Sequence, residues 1–237
     1  VDLDLIEFSL PRVTGEFLVL IGPPGAGKTT IGLVLAKRLG FQFLDTDHLI
    51  EEATGHSPAE IFSDYGESAF RWLEAKVVDE LLKSKLAVER IVDRSSLKLA
   101  GRRLDAGVDA GIVLSTGAGL SVQPGLYEKL ERLGATIGLT APIEVLAERI
   151  GSFESRPMLA AAGSGCDQSQ KKEEDRGQDD STGLESLEKL RGLLLTRGPV
   201  YARAQLTVDT NSGDVEAVVE ALVQLLESRS GAESVLE

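Results

Sequence analysis

The residues best suited to chemistry stand together near the start of the chain. Gly22-Pro23-Pro24-Gly25-Ala26-Gly27-Lys28-Thr29 fits the pattern G-x-x-x-x-G-K-[ST], and Thr30 follows it. Glycines in such a run let the backbone curl until its N–H groups point inward at phosphate oxygens. The Lys28 ammonium supplies a point charge to β- and γ-phosphates, and the Thr29 hydroxyl can ligate Mg²⁺. A helix opening there adds the positive end of its dipole. A Gly/Pro turn with an incidental lysine is the competing reading. The context disfavours it, because the motif follows an apolar run, Glu16-Phe-Leu-Val-Leu-Ile21, and opens a helical pattern.

A phosphate loop names no acceptor. The next informative segment is Asp45-Thr46-Asp47, directly after the second expected strand. Two carboxylates at the C-terminal end of a strand lie where ligands sit in open α/β sheets. Alternate residues of extended chain point opposite ways, so the two should differ in role. One can face the metal's water shell, and the other can orient or deprotonate an acceptor hydroxyl. The same residues also suit a helix N-cap with an acidic first turn. On spacing alone both readings stand.

The elements that must position these groups are legible as an alternation. Residues 1–10 partly alternate apolar with acidic or polar, which reads as a half-buried edge strand. Strands are expected over residues 16–21, 41–44, 112–115, 136–139 and 206–209. Helices are expected over 29–39, 46–54, 57–84 with a break near Gly66, 127–133, 143–150, 184–196 and 215–226. Strands alternating with helices predict a parallel sheet covered on both faces, an α/β class. Residues 85–110 and 162–183 break the alternation and read as insertions. The second is rich in polar and charged residues and is expected to be disordered. The resulting organisation is an N-terminal extension over 1–15, one domain over 16–228, and a flexible tail over 229–237.

Composition narrows the function. The chain has 237 residues, 42% of them hydrophobic, enough for a real core. Its 25 basic and 38 acidic residues leave a net charge of −13, which disfavours nucleic acid as a main partner and adsorption to anionic membranes. No run reaches the ~18 apolar residues that span a bilayer. Cys166 is the one cysteine, so no intrachain disulfide forms, and with His48 and His56 it cannot build a Cys/His zinc site. No signal peptide opens the chain, which does not begin with Met. The expectation is a reducing compartment, not secretion.

At this point the sequence resembles the shikimate kinase family. The matching segments, in order, are GPPGAGKTTIG, FLDTDHLIEEATGHSPAEIFSDYGESAFRWLE, STGAG, SRPML and TRGPVYARAQLTVDT. The resemblance implies a three-layer phosphate-loop kinase with a central five-stranded parallel sheet and a lid. It implies transfer of the ATP γ-phosphoryl group to the 3-hydroxyl of shikimate with Mg²⁺, by a monomer in the cytoplasm or plastid stroma. By the same resemblance, residues 22–30 and Arg149 hold the nucleotide, and Thr29 with Asp45 holds the metal. Asp47 contacts the acceptor hydroxyls and serves as candidate base. Arg71 and Arg197 pair with the acceptor carboxylate, whose position and tilt two guanidinium groups can fix. Arg156, in the lid segment, stabilises the transferring charge. Phe62 and Phe70 wall the acceptor pocket. Arg71 also lies three residues before Glu74, which alone would read as a helix-surface pair.

One position departs from the family. Its three consecutive glycines after the third strand appear here as Gly117-Ala118-Gly119. Alanine keeps the N–H but adds a methyl group and narrows the backbone range. Ala118 and the two insertions motivate a rival reading, a nucleotide-binding regulatory protein without the chemistry; the paired Arg71 and Arg197, which suit any carboxylate, motivate another, a kinase for a different hydroxy acid such as gluconate.

Overall fold

A computed structural model of the chain describes residues 6–10, 16–91, 111–151, 181–212 and 214–233. Five parallel strands form one sheet: β1 (Phe17–Ile21), β2 (Gln42–Asp45), β3 (Ile112–Ser115), β4 (Ala135–Thr140) and β5 (Leu206–Asp209), in the order β2-β3-β1-β4-β5. The central strand β1 is apolar throughout and buried along its whole length, as a strand covered on both faces must be. Its residues divide by parity. Phe17, Val19 and Ile21 join the core on one face, and Leu18 and Leu20 join the core on the other.

Helices α1 (Lys28–Leu39), α2 (Thr46–Thr54), α3 (Pro58–Ile91), α4 (Leu126–Leu133), α5 (Ile143–Ile150), α6 (Ser181–Tyr201) and α7 (Val215–Glu233) cover the sheet. The core on the first face takes Leu49, Ile61, Leu73, Val77 and Leu130, so α2, α3 and α4 lie there. The second takes Leu35, Leu146, Leu190 and Leu222, so α1, α5, α6 and α7 lie opposite. The adjacent strands β1 and β3 therefore send their following helices to opposite faces. That divergence opens a crevice at the C-terminal ends of the strands, the usual ligand position in such sheets.

Several boundaries differ from expectation. Residues 6–10 pair with no strand; instead Ile6 is buried, and Phe8 and Leu10 pack against the first core. Helix α3 breaks its helical angles at Gly66, as expected, but runs on to Ile91, into the segment read as an insertion. Helix α6 starts at Ser181 and continues to Tyr201 through Pro199, beyond the expected end at 196. Helix α7 continues to Glu233, so most of the expected flexible tail is helical; no proline interrupts it. Residues 92–110 of the expected 85–110 insertion, residues 162–180 of the expected 162–183 insertion with Cys166, and the lid segment with Arg156 lie outside the described residues.

Candidate active site

A cleft of about 620 Å³ opens at the end of β1. Its lining includes Pro24, Gly25, Gly27, Lys28, Thr29 and Thr30 from the phosphate loop and the start of α1. Asp45, Asp47, Ser115, Gly117 and Ala118 face them across the cleft. Gly22, Pro23 and Ala26 are buried beneath the loop rather than lining it. The loop curls so tightly that the Lys28 ammonium donates back to the carbonyls of Gly22 and Pro23, each at 2.9 Å. Arg149 holds the loop from outside. It donates to Thr210 Oγ1 at 3.0 Å and to the Thr210 carbonyl at 2.6 Å, with a longer reach of 3.5 Å to the Gly25 carbonyl. With Thr30, Ile31 and Asp214 it lines a smaller hollow of about 180 Å³ next to the cleft.

On the cleft floor three oxygens meet. The Thr29 hydroxyl donates to Asp45 Oδ2 at 2.9 Å and lies 3.5 Å from the Ser115 hydroxyl. The other oxygen of Asp45 accepts from the Asp47 amide at 3.0 Å, which makes Asp45 the N-cap of α2. Asp45 thus caps the helix with one oxygen and accepts from Thr29 with the other. Asp47 is placed differently from Asp45 for a reason other than strand alternation: it is the second residue of α2, while Asp45 is still extended.

Asp47 Oδ1 is buried and has no hydrogen-bond partner. Burial pushes its carboxyl up to about 6; Asp45 adds to the rise, and Lys28 and Arg71 oppose it. A second carboxylate lies behind it. Glu74 is fully buried on α3, and its Oε2 accepts from Arg71 at 2.7 Å and from Gln123 at 2.6 Å. Its Oε1 has no partner. Burial pushes Glu74 up to about 7, against the pull of Arg71 and Gln123 and with a contribution from Asp47. Arg71 is thus no surface residue. Glu67 Oε1 accepts from its Nε at 3.2 Å and its Nη2 at 3.1 Å. The rings of Phe62 and Phe70 each lie 5.8 Å from its guanidinium carbon. Burial works against its charge, and the two glutamates outweigh it, raising its proton affinity. The two phenylalanines clamp this arginine and do not line the cleft.

The Gly117–Gly119 loop is wedged among these groups. A Cβ on Gly117 would lie 2.6 Å from Glu74 Oε1 and 3.0 Å from Asp47 Oδ1, and one on Gly119 would overlap the Arg71 guanidinium. Ala118 is only half-buried and lines the cleft. The flanking positions therefore need glycine, and the middle one carries a methyl group. The Gly117 amide donates to the buried Thr46 hydroxyl at 2.9 Å, and Thr116 donates to the Leu20 carbonyl through both its amide and its hydroxyl. Arg197 is half-buried on α6, outside the cleft lining, beside Tyr201.

The structure thus gathers Lys28, Thr29, Asp45, Asp47, Gly117, Ala118 and Arg149 at one cleft, with Arg71, Gly119 and Arg197 behind the Gly117–Gly119 loop. Sequence reasoning missed the burial of Glu74 and the parts played by Thr46, Gln123 and Tyr201. Tyr201 at least sits inside a quoted segment; nothing marks Gln123. His48 is a surface residue near Glu51 and Glu52, and His56 packs against the end of α2 through Thr54. Trp72 is 38% exposed and packs along its own helix under the Lys76 ammonium.

Among known proteins, the family model described as shikimate kinase matches residues 24–92 and 103–227. The shikimate kinase of Rhizobium meliloti (strain 1021) is 33% identical over 206 residues, covering 87% of this chain and 83% of that protein. That of Chlorobium chlorochromatii (strain CaD3) is 30% identical over 213 residues, 90% of this chain and 91% of that one. Of solved structures, the shikimate kinase from Acinetobacter baumannii in complex with shikimate matches with a TM-score of 0.65 at 30% identity, covering 91% of this chain and 95% of that chain.

Proposed function

The chain belongs to the shikimate kinase family, and on that premise we propose how its own residues transfer the γ-phosphoryl group of ATP to the 3-hydroxyl of shikimate. One observation carries the reading: a phosphate loop and a buried, unpartnered carboxylate oxygen on Asp47 face each other across one cleft.

The loop amides and Lys28 bind the phosphates, for which Lys28 must leave the carbonyls of Gly22 and Pro23. The oxygens of Thr29, Asp45 and Ser115 suit Mg²⁺, a hard ion that takes few protein ligands and keeps water and phosphate oxygens. Among the described residues no cluster of three or more His, Cys, Asp or Glu could cage a metal, which agrees with that mode. Thr29 would hold the ion and Asp45 would support it; when bound, it would neutralise charge on the phosphates.

Asp47 Oδ1 has acceptor capacity to spare. It orients the acceptor hydroxyl and takes its proton as the bond to phosphorus forms. Arg71, held by Glu67 and Glu74, and Arg197 receive the shikimate carboxylate. The arginines thereby fix which hydroxyl reaches Asp47, and little else is asked of the protein, since phosphoryl transfer depends on positioning and electrostatics. Arg156 is assigned the transferring charge on the strength of its SRPML segment.

The test is product identity. Incubated with Mg-ATP and shikimate, the protein should form a phosphate monoester at the 3-position, read by phosphorus NMR. No product above a Lys28→Ala control would sink the reading, as would preferred phosphorylation of gluconate.

A further inference from the structure

The acceptor loop carries a fastening that the mechanism above leaves unused. Tyr201, the last residue of α6, is only 3% exposed. Its hydroxyl donates to the Ala118 carbonyl at 2.6 Å, joining residues 83 positions apart. The charges of Arg197, one turn earlier, and of Arg71 both act on the phenol. A phenol offers one proton and accepts through its lone pairs. Here the proton goes to the loop, and the oxygen keeps its lone pairs within the field of both arginines. One side chain of α6 therefore reaches the β3–α4 loop. Burial pushes the phenol up to about 12, so it remains a neutral donor across the working range.

The geometry has a consequence for the loop. The carbonyl of residue 118 and the N–H of Gly119 belong to one planar trans peptide and point opposite ways. Fixing the carbonyl on Tyr201 turns the Gly119 N–H away from Tyr201 and stops the peptide from flipping between two glycine-flanked positions. Gly119 itself lies against the Arg71 guanidinium.

We propose that Tyr201 is a positioning residue for the acceptor: its hydroxyl sets the peptide plane after Ala118 and the Arg197 guanidinium in a fixed relation, so that loop and arginines meet the acceptor carboxylate as a unit. The proposal rests on the shikimate reading above for its substrate, but not for the contact itself. It assigns Tyr201 to acceptor binding alone, with no part in nucleotide binding.

The experiment pairs steady-state kinetics with amide hydrogen exchange on the whole chain. Tyr201→Phe keeps the ring and removes the hydroxyl. The shikimate KM should rise about 5- to 50-fold while the ATP KM stays within about twofold, the scale of a lost buried hydrogen bond. Exchange at residues 117–120 should quicken about tenfold, with α1 unchanged. An unchanged shikimate KM, or equal rises in both KM values, overturns the proposal. So does loss of protection in α1 as large as in the loop, because Tyr201 would then be a core residue only. Ala118→Gly is the second variant. If the hydroxyl is the fastening, loop exchange stays within about twofold of wild type; if it rises as far as in Tyr201→Phe, the restraint lies in alanine's narrower backbone and the proposal falls. Leu195→Ala, at a 74% exposed position of the same helix, should change nothing. Should wild type show no shikimate-dependent turnover, the functional reading fails separately, and loop exchange in Tyr201→Phe still decides the contact: quickened supports it, unchanged overturns it.

Discussion

In the proposed mechanism the two sides of the cleft hold their ligands by different means. On the nucleotide side the chain offers backbone: a loop whose amides do the binding and whose lysine, at rest, donates to the loop's own carbonyls. On the acceptor side it offers side chains drawn from four places, with Asp47 on α2, Arg71 and Glu74 on α3, Gln123 before α4, and Arg197 with Tyr201 on α6. The first side recognises a phosphate chain common to many reactions, and a contiguous backbone turn suffices for it. The second must recognise one molecule among many hydroxy acids, which takes charges and hydrogen bonds set at fixed angles. A backbone-built site should break when atoms are added to it. A site built from side chains should break when atoms or charges are removed.

Asp47→Asn gives the sharpest contrast. It keeps shape and removes the proton acceptor, so kcat should fall about 10²- to 10⁴-fold with the ATP KM unchanged. On the other side, Gly25→Ala adds a methyl group at φ +78°, where its Cβ would meet the Leu146 carbonyl at 2.8 Å. Strain of about 1–3 kcal/mol should cut kcat/KM for ATP by about 10- to 100-fold and spare the shikimate KM. Gly119→Ala tests whether the division is real. It is a backbone addition on the acceptor side, but its Cβ would fall on the Arg71 guanidinium. The shikimate KM should rise about tenfold, roughly 1.4 kcal/mol, while nucleotide affinity measured by calorimetry stays put.

The smallest effects are those of pH. With its carboxyl pushed up to about 6, Asp47 is ionised only above that value. The kcat/KM for shikimate should climb through pH 6 and level off, and Asp47→Asn should lose that limb while ADP binding shows no such step. Stability moves in the other direction. Asp47 and Glu74 hold protons more tightly folded than unfolded, so their contribution is full below the ordinary carboxylate range and is lost as pH rises through about 6 and 7. In Glu74→Gln the drop in Tm between pH 5 and pH 8 should be smaller than in wild type.

The same contrast explains what the sequence revealed. The nucleotide side is written in consecutive letters, residues 22–30, and reads out whole. The parallel α/β class follows from the alternation of strands and helices, and the burial of β1 on both faces from its apolar run; the strand order comes only from the structure. The acceptor side is scattered, and its key pair misleads. Arg71 and Glu74 at i and i+3 look like a solvated helix pair, yet Glu74 is fully buried because α3 packs Leu73, Val77 and Leu81 into the core on the same stretch. Which face of a long helix turns inward is decided by its partners, and local sequence does not carry that. Gln123 reaches Glu74 across 49 residues and has no local signature at all. The alanine in the glycine run was legible as a departure. That Gly117 and Gly119, rather than 118, are the positions pressed against carboxylates and guanidinium was not.

In the proposed mechanism one cleft joins a phosphate loop to a shikimate-specific acceptor site in which Asp47 takes the proton. Initial rates of ADP release with Mg-ATP, with and without shikimate, on wild type and Asp47→Asn test it directly. ADP release should depend on shikimate in wild type and be nearly abolished in Asp47→Asn at unchanged ATP affinity. Release that ignores shikimate, or an Asp47→Asn variant as fast as wild type, would contradict it.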